Sequence, residues 1–216
     1  MEVKKATYLF IKRLFDILLS LFGLIFAFIP MIIISIAIKL ESKGPVFFKQ
    51  KRTGKNGKEF NLIKFRSMTA DNNVLNFKSE NKLTKVGSFI RKTSLDELPQ
   101  LFNILFNKMS FIGPRPWIPS YFENFTEEQK RRLEVKPGLT GLAQCMGRNG
   151  ISIFEKINYD IKYVDNISLL MDIKIIFLTI KCVLSKSGAE LSKSGIKEEL
   201  EALHNNLIKK EKEELI

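Results

Sequence analysis

Residues 17–38 read ILLSLFGLIFAFIPMIIISIAI, a run without one charged side chain. At about 1.5 Å per residue, a helix of this length reaches across a hydrocarbon core of roughly 30 Å. A cleaved secretory leader has a shorter apolar stretch, about 7 to 15 residues, that ends in small residues. Here Lys39, Leu40 and Glu41 follow instead. Pro30 lies just past the middle, where it removes a backbone donor and bends or breaks a helix. Basic residues flank both ends: Lys4, Lys5, Lys12 and Arg13 before the run, and Lys39, Lys43, Lys49, Lys51 and Arg52 after it. A simple span concentrates such charges on one side. A helix, break, helix hairpin that enters and leaves by the cytoplasmic leaflet accounts for both features, with a proline-tolerant span as the alternative.

The remaining composition narrows the partners. A chain of 216 residues holds one or at most two domains. The expected division is a membrane helix over 1–40, a catalytic domain over 41–187 and a charged, helical tail over 188–216. A formal net charge of +12 calls for an anionic partner: nucleic acid, acidic lipid or a phosphorylated substrate. No nucleic-acid-binding motif occurs, and Phe22, Phe26 and Phe28 lie inside the apolar run, so nucleic acid is not expected. Cys145 and Cys182 are far apart and lack metal-type spacing, as expected of two reduced thiols.

Along the chain, Val46-Phe47-Phe48 and Phe60-Asn61-Leu62-Ile63 flank Thr53-Gly54-Lys55-Asn56-Gly57, the pattern of a β-hairpin. Gly54 to Lys58 lacks the spacing of a phosphate loop and precedes a strand-like run, so it reads as a turn. Ser94-x-x-Glu97 matches a capping box, and Leu98, Leu101, Ile104 and Leu105 follow at helical spacing. Phe111 to Pro116 (FIGPRP) cannot be regular helix and presents Arg115 from a stiff loop. Residues 168–186 are apolar but interrupted by Asp172, Lys174 and Lys181, which suits an interfacial or core helix. In the tail, Ile196, Leu200, Leu203 and Leu207 form an amphipathic stripe, read as a solvated helix with self-association as the alternative.

Chemistry concentrates at Thr93-Ser94-Leu95-Asp96-Glu97-Leu98-Pro99-Gln100. A carboxylate with an ordinary pKa near 4 is ionised at neutral pH and attacks phosphorus without a base to activate it. The lone histidine, His204, lies in the charged tail. Adjacent helical residues do not face each other, so Asp96 and Glu97 suit separate roles rather than a glycosidase-like pair.

A series of segments then resembles the bacterial sugar transferase family, the monotopic phosphoglycosyl transferases. They are Lys12-Arg13-x-x-Asp16, Gln50-x-Arg52-x-Gly54, Lys64-Phe65-Arg66-Ser67-Met68, Arg91 to Gln100, the FIGPRP run, Pro137 to Gln144, Gly147-Arg148-Asn149 and Asp172. The resemblance implies a mainly α fold with a small β-hairpin, a re-entrant N-terminal helix broken at Pro30, and interfacial amphipathic helices. It places the protein on the cytosolic face of the inner membrane.

The implied reaction moves a sugar 1-phosphate from a UDP-sugar to polyprenol (undecaprenyl) phosphate and releases UMP. In this assignment Asp96 is the nucleophile and Glu97 the Mg²⁺ ligand. Lys64, Arg91, Arg115 and Arg148 match positions that bind phosphate or substrate, with Asp172 a supporting acidic position in the same set. The Gly147 to Ser152 run leans toward an N-acetylated amino sugar. A non-enzymatic membrane-surface scaffold is the competing class; it needs neither Asp96 nor metal.

Overall fold

The structure is a computed structural model that describes residues 2–69, 83–147, 150–184 and 195–214. Its contacts divide the chain into two compact units. One comprises Met1–Leu14, Lys51–Phe60 and Lys108–Ile216; the other comprises Phe15–Gln50 and Asn61–Asn107.

Helix α1 runs over Glu2–Glu41, 40 residues with Pro30 inside. The expected break at Pro30 is not observed: helix is assigned on both sides of the proline and through it. A proline deletes only one backbone bond. Side-chain packing continues across the site, which holds the flanking turns in one register. In the second unit Gly23 lies against Leu101, and Met31, Ile34 and Ile38 pack with Phe65, Ile90, Leu95 and Leu98. With buried Ser20 and Ala27 these positions recur every three or four residues and form one face. Phe22, Ile25, Phe26, Phe28, Ile29 and Ile33 on the remaining surface are exposed.

The predicted hairpin is present as β1 (Phe47–Thr53) and β2 (Glu59–Phe65), adjacent in one sheet. Its turn needs left-handed backbone at Asn56 (φ 55°) and Gly57 (φ 74°). A Cβ at Gly57 would also lie 2.8 Å from the Phe122 ring, so only glycine fits there.

Three polar locks then order the second unit. Arg66 donates from Nη2 to the Ser42 carbonyl (2.8 Å), and from Nη1 to the Lys43 carbonyl, closing the C-terminal end of α1. Glu41 accepts from the backbone N–H groups of Lys85 (2.6 Å) and Val86 (2.9 Å), which caps α2 (Lys85–Lys92) from another helix. Asn103 on α3 (Gln100–Leu105) completes the free edge of β2, donating to the Asn61 carbonyl and accepting from Ile63 N–H. At Gly87 a Cβ would stand 1.9 Å from the Ser67 carbonyl oxygen. Gly87→Ala should therefore force α2 away from the Ser67 backbone and destabilise the protein by about 3 kcal/mol or more. Loss of a cooperative thermal transition, or a drop in its midpoint of about 6 °C or more, is the expected reading.

The first unit contains a second sheet that the sequence does not announce. Strands β3 (Ser110–Ile112) and β4 (Gly138–Thr140) pair in parallel, with Ser110 opposite Gly138 and Ile112 opposite Thr140. Short helices α4 (Pro119–Phe122), α5 (Glu127–Lys130) and α6 (Leu142–Met146) connect it to α7 (Ile153–Asp165) and α8 (Leu169–Leu184). One core gathers Ile112, Val135, Leu142, Tyr163, Val164 and Ile175. One side of α8 exposes Leu169, Leu170, Ile173, Phe177 and Ile180.

The tail departs from expectation. Helix α9 (Ile196–Glu214) is not a free amphipathic helix, because Leu200 and Leu203 pack with Tyr121, Phe125, Ile153 and Ile157. Buried Glu199 fastens it, accepting from Tyr121 Oη at 2.6 Å and pairing with Lys156 at 3.0 Å. The stripe offered for self-association is thus largely covered by the chain's own core.

Candidate functional site

The acidic pair sits on a tight turn rather than inside a helix. Helix α2 ends at Lys92 with Thr93 as its C-cap, and Ser94 takes a left-handed conformation (φ 58°) without a side-chain cap. Leu95–Glu97 form a single 3₁₀ turn, and α3 begins only at Gln100. The expected capping box from Ser94 to Glu97 is therefore absent. Pro99 explains this: a helix running from Ser94 would require its N–H to bond the Leu95 carbonyl, and proline has none. The left-handed residue turns the chain sharply, so Asp96 faces inward and is only 9 % exposed.

Lys64, near the end of β2, is the common neighbour of both acids. Its Nζ lies 2.5 Å from Glu97 Oε1 and 3.8 Å from Asp96 Oδ2. Arg91, in the last turn of α2, is held through Nε to Ser67 Oγ at 2.8 Å. Burial pushes the Asp96 carboxyl above the usual carboxylate range. The Lys64 charge pulls it back down, the Glu97 charge adds to the rise, and Arg91 and the residue's own N–H oppose it. The ordinary carboxylate assumed from sequence is in fact a partly desolvated one, with the Lys64 and Arg91 charges opposing the rise that burial causes. Desolvation raises the reactivity of the charged form, and the cations hold a favourable place for phosphate oxygens.

Lys64, Arg91, Asp96 and Glu97 come together in this way within the second unit. Arg115 and Asp172 belong to the first. Arg115 is exposed at the tip of its loop between buried Pro114 and Pro116. Asp172 is buried, and both its oxygens are engaged: Oδ2 accepts from Tyr8 Oη (2.5 Å) and Lys12 Nζ, and Oδ1 from Tyr163 Oη (2.8 Å). That cluster ties the beginning of α1 to α7 and α8. Arg148 lies outside the described residues. Sequence reasoning gave no role to Ser67, which orients Arg91, although it stands in the quoted Lys64 to Met68 segment. Nor did it give one to Glu41, whose place at the end of an apolar helix carries no signal for capping another.

Among the described residues, no group of three or more His, Cys, Asp and Glu side chains gathers as a metal cage. The donors present still fit one kind of ion. Mg²⁺ characteristically takes one or two carboxylates and fills its other positions with phosphate oxygens and water. Glu97, beside Asp96 on the same turn, would supply one such carboxylate.

A carboxylate flanked by cations on a short turn, in a unit that carries a long apolar helix, suits phosphoryl-group transfer. Sequence comparison agrees: the bacterial sugar transferase family model matches residues 7–186, and the chain belongs to that family. It is 46% identical over 184 residues to the "Uncharacterized sugar transferase EpsL" of Bacillus subtilis (strain 168), covering 83% of this chain and 90% of that protein. It is 44% identical over 190 residues to the "UDP-glucose:undecaprenyl-phosphate glucose-1-phosphate transferase" of Klebsiella pneumoniae, covering 82% of this chain and 41% of that one. Identity to the "Undecaprenyl-phosphate galactose phosphotransferase" of Salmonella typhimurium (strain LT2) is 39% over 207 residues, covering 87% and 43%. The chain thus spans less than half the length of the latter two relatives.

Proposed function

We propose that the protein transfers a sugar 1-phosphate from a UDP-sugar to polyprenol phosphate, through a covalent intermediate on Asp96. The observation that carries this reading is the buried, cation-flanked carboxylate on the 3₁₀ turn. The relatives' printed names, which join undecaprenyl phosphate to glucose or galactose, support the acceptor and the type of group moved.

In the first step an Asp96 oxygen bonds to the sugar-bearing phosphorus, and the bond from that phosphorus to the bridging oxygen breaks. UMP leaves with the electron pair. In the second, a phosphate oxygen of the polyprenol phosphate attacks the same phosphorus and returns Asp96 as a carboxylate. The product is a polyprenol diphosphate sugar, and the bond between the sugar carbon and its phosphate oxygen is never cut. Lys64 and Arg91 bear on the charge that develops on the transferred phosphate. Glu97 would hold Mg²⁺, which when bound neutralises diphosphate charge and favours UMP as a leaving group.

Mass spectrometry of protein incubated with Mg²⁺ and a donor but no acceptor tests this directly. A panel of UDP-glucose, UDP-galactose and UDP-N-acetylated sugars should yield a sugar phosphate on the Asp96 peptide for the true donor. Turnover without any such adduct, under conditions that preserve acyl phosphates, would overturn the intermediate.

We further propose a monotopic placement on the cytosolic leaflet. The face of α1 from Ser20 to Ile38 covers about 27 Å and packs on protein of its own unit, so this stretch is not a helix ringed by lipid. Its other surface and the exposed side of α8 each offer apolar area suited to acyl chains. A cysteine introduced before residue 6 should resist an impermeant thiol reagent in intact cells and react after lysis. Labelling of intact cells would instead establish a span.

A further inference from the structure

Arg132 and Asp160 form a fully buried ion pair in the first unit, each side chain 1% exposed. Asp160 Oδ2 accepts from Arg132 Nε (3.0 Å) and Nη2 (2.6 Å), while Oδ1 has no hydrogen-bond partner among the described residues. A buried pair with one oxygen unsatisfied is a poor device for stability alone, since apolar residues of similar volume often do as well or better. What the pair does hold is visible in its remaining contacts. Arg132 Nη2 also donates to the Arg115 carbonyl at 2.8 Å, and the guanidinium lies 3.9 Å from the centre of the Trp117 ring.

Arg115 belongs to a backbone segment in which four successive carbonyls are captured from three separate places. Pro114 O accepts from Gly138 N–H (2.9 Å), Arg115 O from Arg132, Pro116 O from Arg52 Nη1 (3.2 Å) and Trp117 O from Thr53 N–H (2.8 Å). Strand β4, the hairpin turn region and the turn after α5 thus each hold the loop. Its backbone is determined throughout, and the Arg115 side chain is the exposed element that results.

We infer that Arg132, oriented by Asp160, is a positioning residue for Arg115. It fixes the loop that presents that guanidinium for a substrate phosphate, an inference that rests on the phosphate-binding role the resemblance implies for Arg115. Lysine cannot replace it in this work. A single ammonium on a flexible stem lacks the planar fork that joins one carboxylate, one carbonyl and one indole face at once.

The test is a double-variant cycle on the full-length protein in vesicles, with UMP release as the assay. Arg115→Ala alone should raise KM for the UDP-sugar. Arg132→Lys alone should raise that KM about tenfold with kcat changed by less than about twofold, the pattern of a misplaced binding group. In the Arg115→Ala background, Arg132→Lys should have no further effect on KM. A merely structural Arg132 predicts otherwise: the same fold-loss in both backgrounds, or a fall in kcat as folded protein is lost. Either result, or an unchanged KM in Arg132→Lys, overturns the inference. An unchanged KM in Arg115→Ala would instead remove the role of Arg115 on which it rests. Should Arg132→Lys not fold, Trp117→Leu, which keeps the ion pair and removes the ring beneath it, is read by the same cycle.

Discussion

Asp96→Asn should abolish UMP release, by at least about a thousandfold, and at the same time raise the melting temperature of the protein. The activity loss follows from removal of the proposed nucleophile; losses of this order or larger accompany removal of covalent nucleophiles. The gain in stability follows from the same burial that makes the group useful. The folded-state pKa of Asp96 is raised above its ordinary value, with burial the largest cause. For an acid shifted upward, the protonated form is favoured in the folded protein. Stability is therefore lost as pH rises from the unfolded to the folded pKa, and the loss is complete at pH values above both. Asparagine carries no such penalty. A gain of about 0.5–1 kcal/mol corresponds to roughly 1–4 °C in a domain of this size. The difference between variant and parent should vanish at acid pH, below the unfolded pKa, where both side chains are neutral. Thermal melts across a pH series, run beside the UMP assay, check both halves. A variant that retains activity, or that melts lower at neutral pH, contradicts the assignment.

Lys64→Met should lower kcat/KM about a hundredfold and shift the acid limb of its pH profile to higher pH. Lys64 is the larger of the two cationic influences that hold the Asp96 pKa down. Without it, Asp96 keeps its proton to a higher pH, so the variant is most impaired in acid and partly recovers as the medium becomes more alkaline. Loss of a charge-stabilising donor in a reaction centre costs about 10²–10³ in rate, which sets the remaining deficit at high pH. Methionine keeps the unbranched stem of the lysine, so packing around β2 changes little. An acid limb that does not move would show that the ionisation governing turnover is not that of Asp96.

The sequence disclosed those features whose signals are local. Apolar content alone revealed α1, and Gly54 and Gly57 between aromatic runs revealed the hairpin. The motif around Asp96 and Glu97 pointed to the chemistry, and the resemblance carried Lys64 and Arg91 with it. Spacing could not place Lys64 between the two acids, because it lies 33 positions from Glu97 and arrives through the β2 register. The capping box failed because one proline outweighed a favourable pattern. Strands β3 and β4 were invisible, as three-residue strands among Gly and Pro read as loops. Arg132 stands in Lys130-Arg131-Arg132, which looks like solvated charge, yet only its third member is fully enclosed. The α9 stripe was legible, but the surface that covers it is contributed by α4 and α7 and leaves no mark in the tail itself.

The locks at Glu41 and Arg66 carry a practical meaning. Helix α1 also forms a wall of the second unit's core, since Ile34 and Ile38 sit among Phe65, Ile90 and Leu95, next to the acidic turn. Trimming the apolar N-terminus to make a water-soluble fragment would strip out that wall and uncap α2 in one cut. The apolar helix from Phe15 onward and the turn that carries Asp96 share one folded core, with no seam between them inside that unit.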